Sequence, residues 1–280
     1  RDSSLRLVGS EMCIRDSARV APPLAIGSRR ARYLLERNVL VYRRVWLVIL
    51  SGFFEPVFYL FAIGVGIGEL VGSFVAPDGT VIDYADFVAP ALLAASAMNG
   101  AIFESTMNIF FKLKYGKVYD AILATPLSPG DIAIGEIGWS LIRGGMYATA
   151  FLLVMAAMGL ILSPWGLLAL PSALLIGFAF AACGMAATTF MRSWQDLDMV
   201  TLVTLPLFLF SATFYPLSVY PEWLQVVARF SPLYHGVELI RACTFGVFDP
   251  SVIVHVAFLA TMGIVGLAIT NRRMAKLLLK

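Results

Sequence analysis

The sequence predicts an all-α integral membrane protein. It reads as six transmembrane helices with both termini in the cytoplasm, a cytoplasmic amphipathic N-terminal helix and a short outer re-entrant helix pair. Three observations lead there. Six apolar stretches, roughly 45–68, 86–110, 137–162, 166–190, 198–216 and 251–271, each approach or exceed the about 20 residues a bilayer span needs. The basic residues are one-sided: Arg19, Arg29, Arg30, Arg32, Arg37, Arg43, Arg44, Lys112, Lys114, Lys117, Arg192, Arg272, Arg273, Lys276 and Lys280 fall on alternate connections and the two ends. The other connections carry only Arg229 and Arg241, and the first of them is acidic (Glu69, Asp78, Asp83, Asp86). Positive charge stays on the cytoplasmic side, which orients the bundle. Composition agrees, with 59% hydrophobic and 14% charged residues and a mean hydropathy of +0.82.

The net charge of +3 comes from the cytoplasmic connections, so it speaks for anionic lipid headgroups and orientation rather than nucleic acid. Cys13, Cys183 and Cys243 show neither metal-ligand spacing nor an even disulfide count. No metal site is expected, and His235 reads as a lone histidine without a second ligand.

The elements follow in order. Residues 1–17 have no helical periodicity and no apolar signal core, and they resemble a translated sequencing-adapter read-through. They are expected to be a non-native artefact, with Met12 an alternative start. Residues 18–44 form a cytoplasmic arm. From Ser28 to Arg44 it sets Tyr33, Leu34, Leu40 and Val41 against Arg29, Arg30, Arg32, Arg37, Arg43 and Arg44, the pattern of a helix in the headgroup plane. It serves either as a positive flank or as a carrier of motion into the first span. Residues 45–271 hold the six spans and 272–280 form a cytoplasmic tail.

Span one contains Glu55-Pro56 and span two contains Glu104 among Asn99, Ser105, Thr106 and Asn108. A carboxylate inside a span costs about 2.5–3.5 kcal/mol on insertion scales, so it faces protein or water. Pro56 removes a backbone donor and bends the helix beside Glu55. These residues, with Phe208, Phe210 and Phe214 of span five, are candidates for a translocation path. Helix–helix packing explains them equally well. Neither of the first two spans carries a cation or histidine to make a proton relay.

Two connections are distinctive. After Lys112, Lys114 and Lys117 comes a short helical stretch, Val118 to Ala124, which Thr125-Pro126 stops. Ser128-Pro129-Gly130-Asp131 then reads as an N-cap, a proline at the first helical position and an acid three residues on. Val118, Tyr119, Ile122 and Leu123 are expected to present an apolar ridge in a basic setting, a docking surface. On the other side, Pro221 opens a helix in which Trp223, Val226, Val227 and Phe230 share one face. Ser231-Pro232 opens a second, Leu233 to Cys243, with Glu238 and Arg241 placed to pair at i,i+3.

These connections, with Gly116 to Ser128 and Ala228 to Arg241 as they stand, resemble the membrane subunit of a type-2 ABC exporter. The branch they look like is the NodJ-like one, similar to nodulation-factor lipo-oligosaccharide and daunorubicin-resistance permeases. The likeness runs from about Ser28 to Lys280. It implies that 45–271 is a type-2 ABC transmembrane domain in the bacterial inner membrane, paired with a second copy of itself. It also implies two separate ATPase subunits that bind ATP and Mg, and export of a lipidic, lipo-oligosaccharide or amphiphilic drug-like substrate. On that reading the ATPase-coupling helix comprises Lys117, Val118, Tyr119, Asp120, Ile122, Leu123, Thr125 and Pro126, and the outer helices carry Trp223, Phe230, Pro232, Glu238 and Arg241. The residues agree with a subunit that is not itself an enzyme and holds no cofactor, since no Gly-x-x-x-x-Gly-Lys-[Ser/Thr] loop is present. The rival readings are an ATP-independent secondary transporter or channel, without visible paired broken helices, and an intramembrane enzyme, without a visible nucleophile–base pair.

Overall fold

A computed structural model of the chain describes residues 30–43, 54, 56–75 and 81–278. The first seventeen residues, Glu55 and most of the first predicted span lie outside the described residues. Helix α1 (Ala31–Arg43) precedes α2 (Pro56–Val71). A two-stranded antiparallel hairpin follows, β1 (Ser73–Val75) and β2 (Val81–Asp83), with Phe74 opposite Ile82. The long helix α3 (Tyr84–Lys114), the short α4 (Val118–Leu123), then α5 (Pro129–Ala157) and α6 (Pro164–Thr188) complete the first two-thirds. After them come α7 (Asp196–Phe210), the short pair α8 (Glu222–Arg229) and α9 (Pro232–Phe245), and the last long helix α10 (Ser251–Leu278).

Among the described residues, four helices are long and apolar enough to cross a membrane: α3, α5, α6 and α10. Their ends differ from the hydropathy windows because backbone hydrogen bonding carries a helix past the edge of the hydrocarbon. α5 starts at Pro129 rather than near 137, and α3 runs on to Lys114 through one wide π-helical turn at Glu104–Asn108. The fifth apolar stretch behaves differently. α7 has 15 residues, about 22 Å at helical rise, less than the roughly 30 Å hydrocarbon core. From Ser211 to Pro216 the chain runs without helix, with Ala212 in the left-handed region at φ 56°.

α6 is the hub, packed against α10, α3 and α5. Its Ala- and Gly-rich sequence lets neighbours approach backbone to backbone, the usual way helices associate where lipid removes the hydrophobic drive. Gly266 of α10 is the clearest case: a Cβ there would stand 2.8 Å from the Ala182 carbonyl carbon. Thr188 ties α6 to α3 by donating to the Ser105 carbonyl at 3.0 Å. In the hydropathic windows of these helices, α3 is 67% buried and α10 only 22%, so α3 stands inside the bundle and α10 on its rim.

α1 packs on α5. Leu34 is buried and seats against Gly135, where a Cβ would come within 2.8 Å of the leucine. Tyr33, Leu40 and Val41, grouped with Leu34 by periodicity, remain exposed.

Candidate functional site

The short helix α4 joins the C-terminal end of α3 to the N-terminal end of α5. Lys117 takes the left-handed conformation (φ 44°, ψ 32°) that turns the chain out of α3. Thr125 closes the helix by donating to the Ile122 carbonyl at 2.6 Å. The Ser128–Asp131 capping box then launches α5, with Asp131 N donating to Ser128 Oγ at 3.2 Å and Ser128 N to Asp131 Oδ2 at 3.0 Å. α1 is tied to this turn, Arg30 donating to the Pro126 carbonyl at 2.6 Å.

The apolar ridge needs one correction. Tyr119 is fully buried, so it belongs to the subunit's own core and not to a docking face. Its hydroxyl donates to Glu136 Oε1 at 3.2 Å, and burial, then the neighbouring Glu136, pushes the phenol well above its ordinary range. One side of a helix must face the bundle that supports it, and periodicity alone did not say which. The outward side carries Lys117, Asp120 and Ala121, with Thr125 and Pro126 exposed beyond the helix end and Val118, Ile122 and Leu123 half-buried. Between α1 and α4 runs a groove of about 400 Å³ lined by Tyr33, Arg37, Lys117, Val118 and Ile122.

Glu136, which sequence reasoning left without a role, is the centre of a buried polar node. It is 2% exposed and takes three donors from three elements: Asn38 Nδ2 of α1 at 3.2 Å, Lys112 Nζ of α3 at 2.8 Å, and the Tyr119 hydroxyl of α4. A second node lies deeper. Glu104 of α3 accepts from Arg143 Nη1 of α5, from Asn108 Nδ2 and from the Tyr42 hydroxyl of α1 at 3.3 Å. Arg143 Nε donates to the Tyr147 hydroxyl at 3.0 Å. The cation partner missing from the first two spans is thus Arg143 of the third. Burial, followed by Glu104, pushes the Tyr42 phenol up to about 12. The two nodes share their supports by helical spacing: Asn38 and Tyr42 are i,i+4, and Glu104, Asn108 and Lys112 follow at fours.

The second node backs onto a cavity of about 690 Å³. Its walls come from α2 (Pro56, Tyr59), α3 (Ser96, Asn99, Thr106), α5 (Arg143, Tyr147) and α7 with the turn before it (Trp194, Asp198, Thr201, Phe208). Of the path candidates, Pro56 and Phe208 line it, and Phe214 meets Phe208 edge-on at 5.1 Å. Glu104 sits behind the wall, in its ion pair, rather than on the cavity surface. Phe210 is exposed and not among the cavity's lining residues. Glu55 lies outside the described residues.

At the other end, Trp223, Val226, Val227 and Phe230 of α8 form an exposed apolar face. Pro232 opens α9 at its first turn. Glu238 pairs with Arg241 at 3.0 Å. Arg241 is far more enclosed than an outer connection suggests: its guanidinium lies 3.7 Å from the Phe87 ring centre and donates to the carbonyls of Ala212 at 2.7 Å and Phe87 at 3.3 Å. It therefore fastens the non-helical end of the fifth stretch to the start of α3. His235 is not alone: it faces His255 of α10. Among the described residues no three His, Cys, Asp or Glu side chains gather as a metal site.

The bundle thus combines a polar-walled cavity with a short helix, α4, held to α5, one of the helices lining that cavity, by a buried polar contact. The family model described as ABC-2 type transporter matches residues 29–245, and the chain belongs to that family. It is 31% identical over 246 residues to Nodulation protein J of Rhizobium leguminosarum bv. viciae, covering 87% of this chain and 93% of that one. It is 33% identical over 230 residues to Nodulation protein J of Sinorhizobium fredii, covering 81% and 86%. The Inner membrane transport permease YadH of Escherichia coli K12 is 24% identical over 212 residues, covering 74% and 80%. The chain is a multi-pass transport permease of the inner membrane.

Proposed function

We propose that this chain is the permease subunit of an ATP-driven exporter that carries a lipidic, lipo-oligosaccharide-like or amphiphilic drug-like molecule out of the cytoplasm. Six spans with both termini inside pair with a second copy of the chain. Two separate ATPase subunits bind ATP and Mg and dock on the outward side of α4. The cavity beside Arg143 and Tyr147 receives the substrate, with hydrogen-bonding groups of α3 and α7 meeting a polar head and Tyr59, Trp194 and Phe208 meeting apolar surface.

The observation that carries this reading is the Glu136 node. A docking helix is useful only if its displacement reaches the substrate site. Tyr119 of α4 shares the buried Glu136 carboxylate with α1 and α3, and the ion pair behind the cavity joins α3 to α5 with Tyr42 of α1 bonded to it. Such buried, fully partnered polar groups shift together, because leaving any one unpaired in low dielectric is costly. The test is co-purification of tagged chain with an ATPase subunit, followed by reconstitution in proteoliposomes. Export that requires ATP and the second polypeptide supports the proposal. Uptake or efflux by this chain alone, driven by an ion gradient, would replace it with the secondary-transporter reading.

A further inference from the structure

The chain has only two histidines in 280 residues, and the fold brings them together. Nδ1 of His235 on α9 lies 2.7 Å from Nδ1 of His255 in the second turn of α10, with the ring centres 5.0 Å apart. Both residues are buried. Phe258 stacks on His235 at 4.1 Å, and Tyr234 meets both rings edge-on. At 2.7 Å one nitrogen must hold a proton and the other must offer its lone pair. A neutral pair satisfies this, and so does a pair sharing one extra proton. Two extra protons do not, since both nitrogens then become donors and two like charges face each other across the contact.

We infer that His235 and His255 form a shared proton-binding site that latches the outer helix α9 to α10 and releases it when both rings become charged. The inference goes beyond the transport reading and rests on it only for the side of the membrane that the pair faces. The groups acting on the pair are few. Tyr234 and Glu238 come from α9 itself, the Arg229 backbone from the end of α8, and Asp249 from the connection to α10. α6, also packed on both helices, carries no charged side chain. Glu238 is already engaged by Arg241. Burial, then the facing His255, holds His235 below its ordinary range, so the unfolded chain binds protons here before the folded one does. Stability contributed by the pair is therefore complete above about pH 6.5 and is lost as pH falls below it.

The measurement is thermal unfolding of the full chain in detergent from pH 8 to pH 5, with and without His235→Gln/His255→Gln. The wild type should lose several degrees of Tm below about pH 6.5, and the double variant, with no histidine left, should show a flat profile across that window. An equal acid loss in the double variant would overturn the latch. If the double variant does not fold, ring-15N-histidine spectra of the wild type give two ring systems to follow. Two coupled steps, the second well below the first, support the shared site; two independent titrations near the ordinary histidine value would sink it. Zinc added at pH 7.5 that raises Tm in the wild type and not in the variant would reassign the pair as a metal site. None of these readouts requires the ATPase partner, so they fail or succeed apart from the transport proposal.

Discussion

Replacing Glu136 by alanine removes the acceptor on which Asn38, Lys112 and the Tyr119 hydroxyl converge. Asn38 and Tyr119 are 1% and 0% exposed, so neither orphaned donor can turn to water. Lys112 is 13% exposed and recovers part of its hydration. Breaking a buried ion pair by deleting one partner costs about 3–5 kcal/mol, and the two sealed donors place Glu136→Ala within that range. Glutamine at the same position keeps the shape but offers a single acceptor oxygen and turns its NH2 toward the donors of the other oxygen, either Tyr119 or Asn38 and Lys112, so it should cost about 1–3 kcal/mol. Tyr119→Phe removes one bond and leaves Glu136 two donors, for about 0.5–1.5 kcal/mol. Thermal unfolding of the detergent-solubilised subunit should therefore rank wild type, Tyr119→Phe, Glu136→Gln and Glu136→Ala in falling order. At about 2–4 °C per kcal/mol the outer two differ by roughly 6–20 °C. An alanine variant no less stable than Tyr119→Phe would refute the convergence of the three donors on this carboxylate.

Ile122→Asp, half-buried in the groove beside α1, should lower Tm less than Tyr119→Asp while reducing ATPase co-purification; Tyr119→Asp should unfold the subunit, because it sets a second carboxylate against Glu136 in a sealed site. Arg241→Met keeps apolar surface on Phe87 but strips the Ala212 and Phe87 carbonyls of their donor, which should lower stability by about 2–3 kcal/mol. Glu238→Gln should cost far less, since Glu238 is 34% exposed and its pairing is screened. A reporter active only outside the cytoplasmic membrane should be on when fused after Asp78 or Glu222 and off after Lys117 or Lys280, and the reverse pattern at any of these sites would overturn the six-span topology.

Membrane residence was legible before any coordinates, because insertion depends on local sums, whereas transport came only through resemblance to a known family. Apolar length and the sidedness of Arg and Lys are properties of contiguous sequence, and so are the punctuation residues Thr125-Pro126, Ser128-Pro129 and Pro232 that begin and end the short helices. The Glu238–Arg241 pair was legible for the same reason, since three residues along a helix are neighbours. The partners of Glu104 and His235 were not. Arg143 is 39 residues from Glu104 and His255 is 20 from His235, and no local pattern announces a meeting across helices. Glu136 likewise shows no role locally, since its three donors come from three other elements.

By itself, then, the sequence determined that this chain lives in a bilayer, which segments are apolar enough to enter it, and where its short helices start and stop. Tertiary structure alone decided which face of each helix turns inward. That choice buried Tyr119, set Glu104 in an ion pair behind the cavity wall, and drew Arg241 into the bundle from a short connection. The physical reason is that every span is apolar on nearly all sides, so hydrophobic periodicity carries little information about orientation. In lipid, orientation follows instead from close contacts between small residues, such as Gly266 on Ala182, and from pairing of the few buried polar groups.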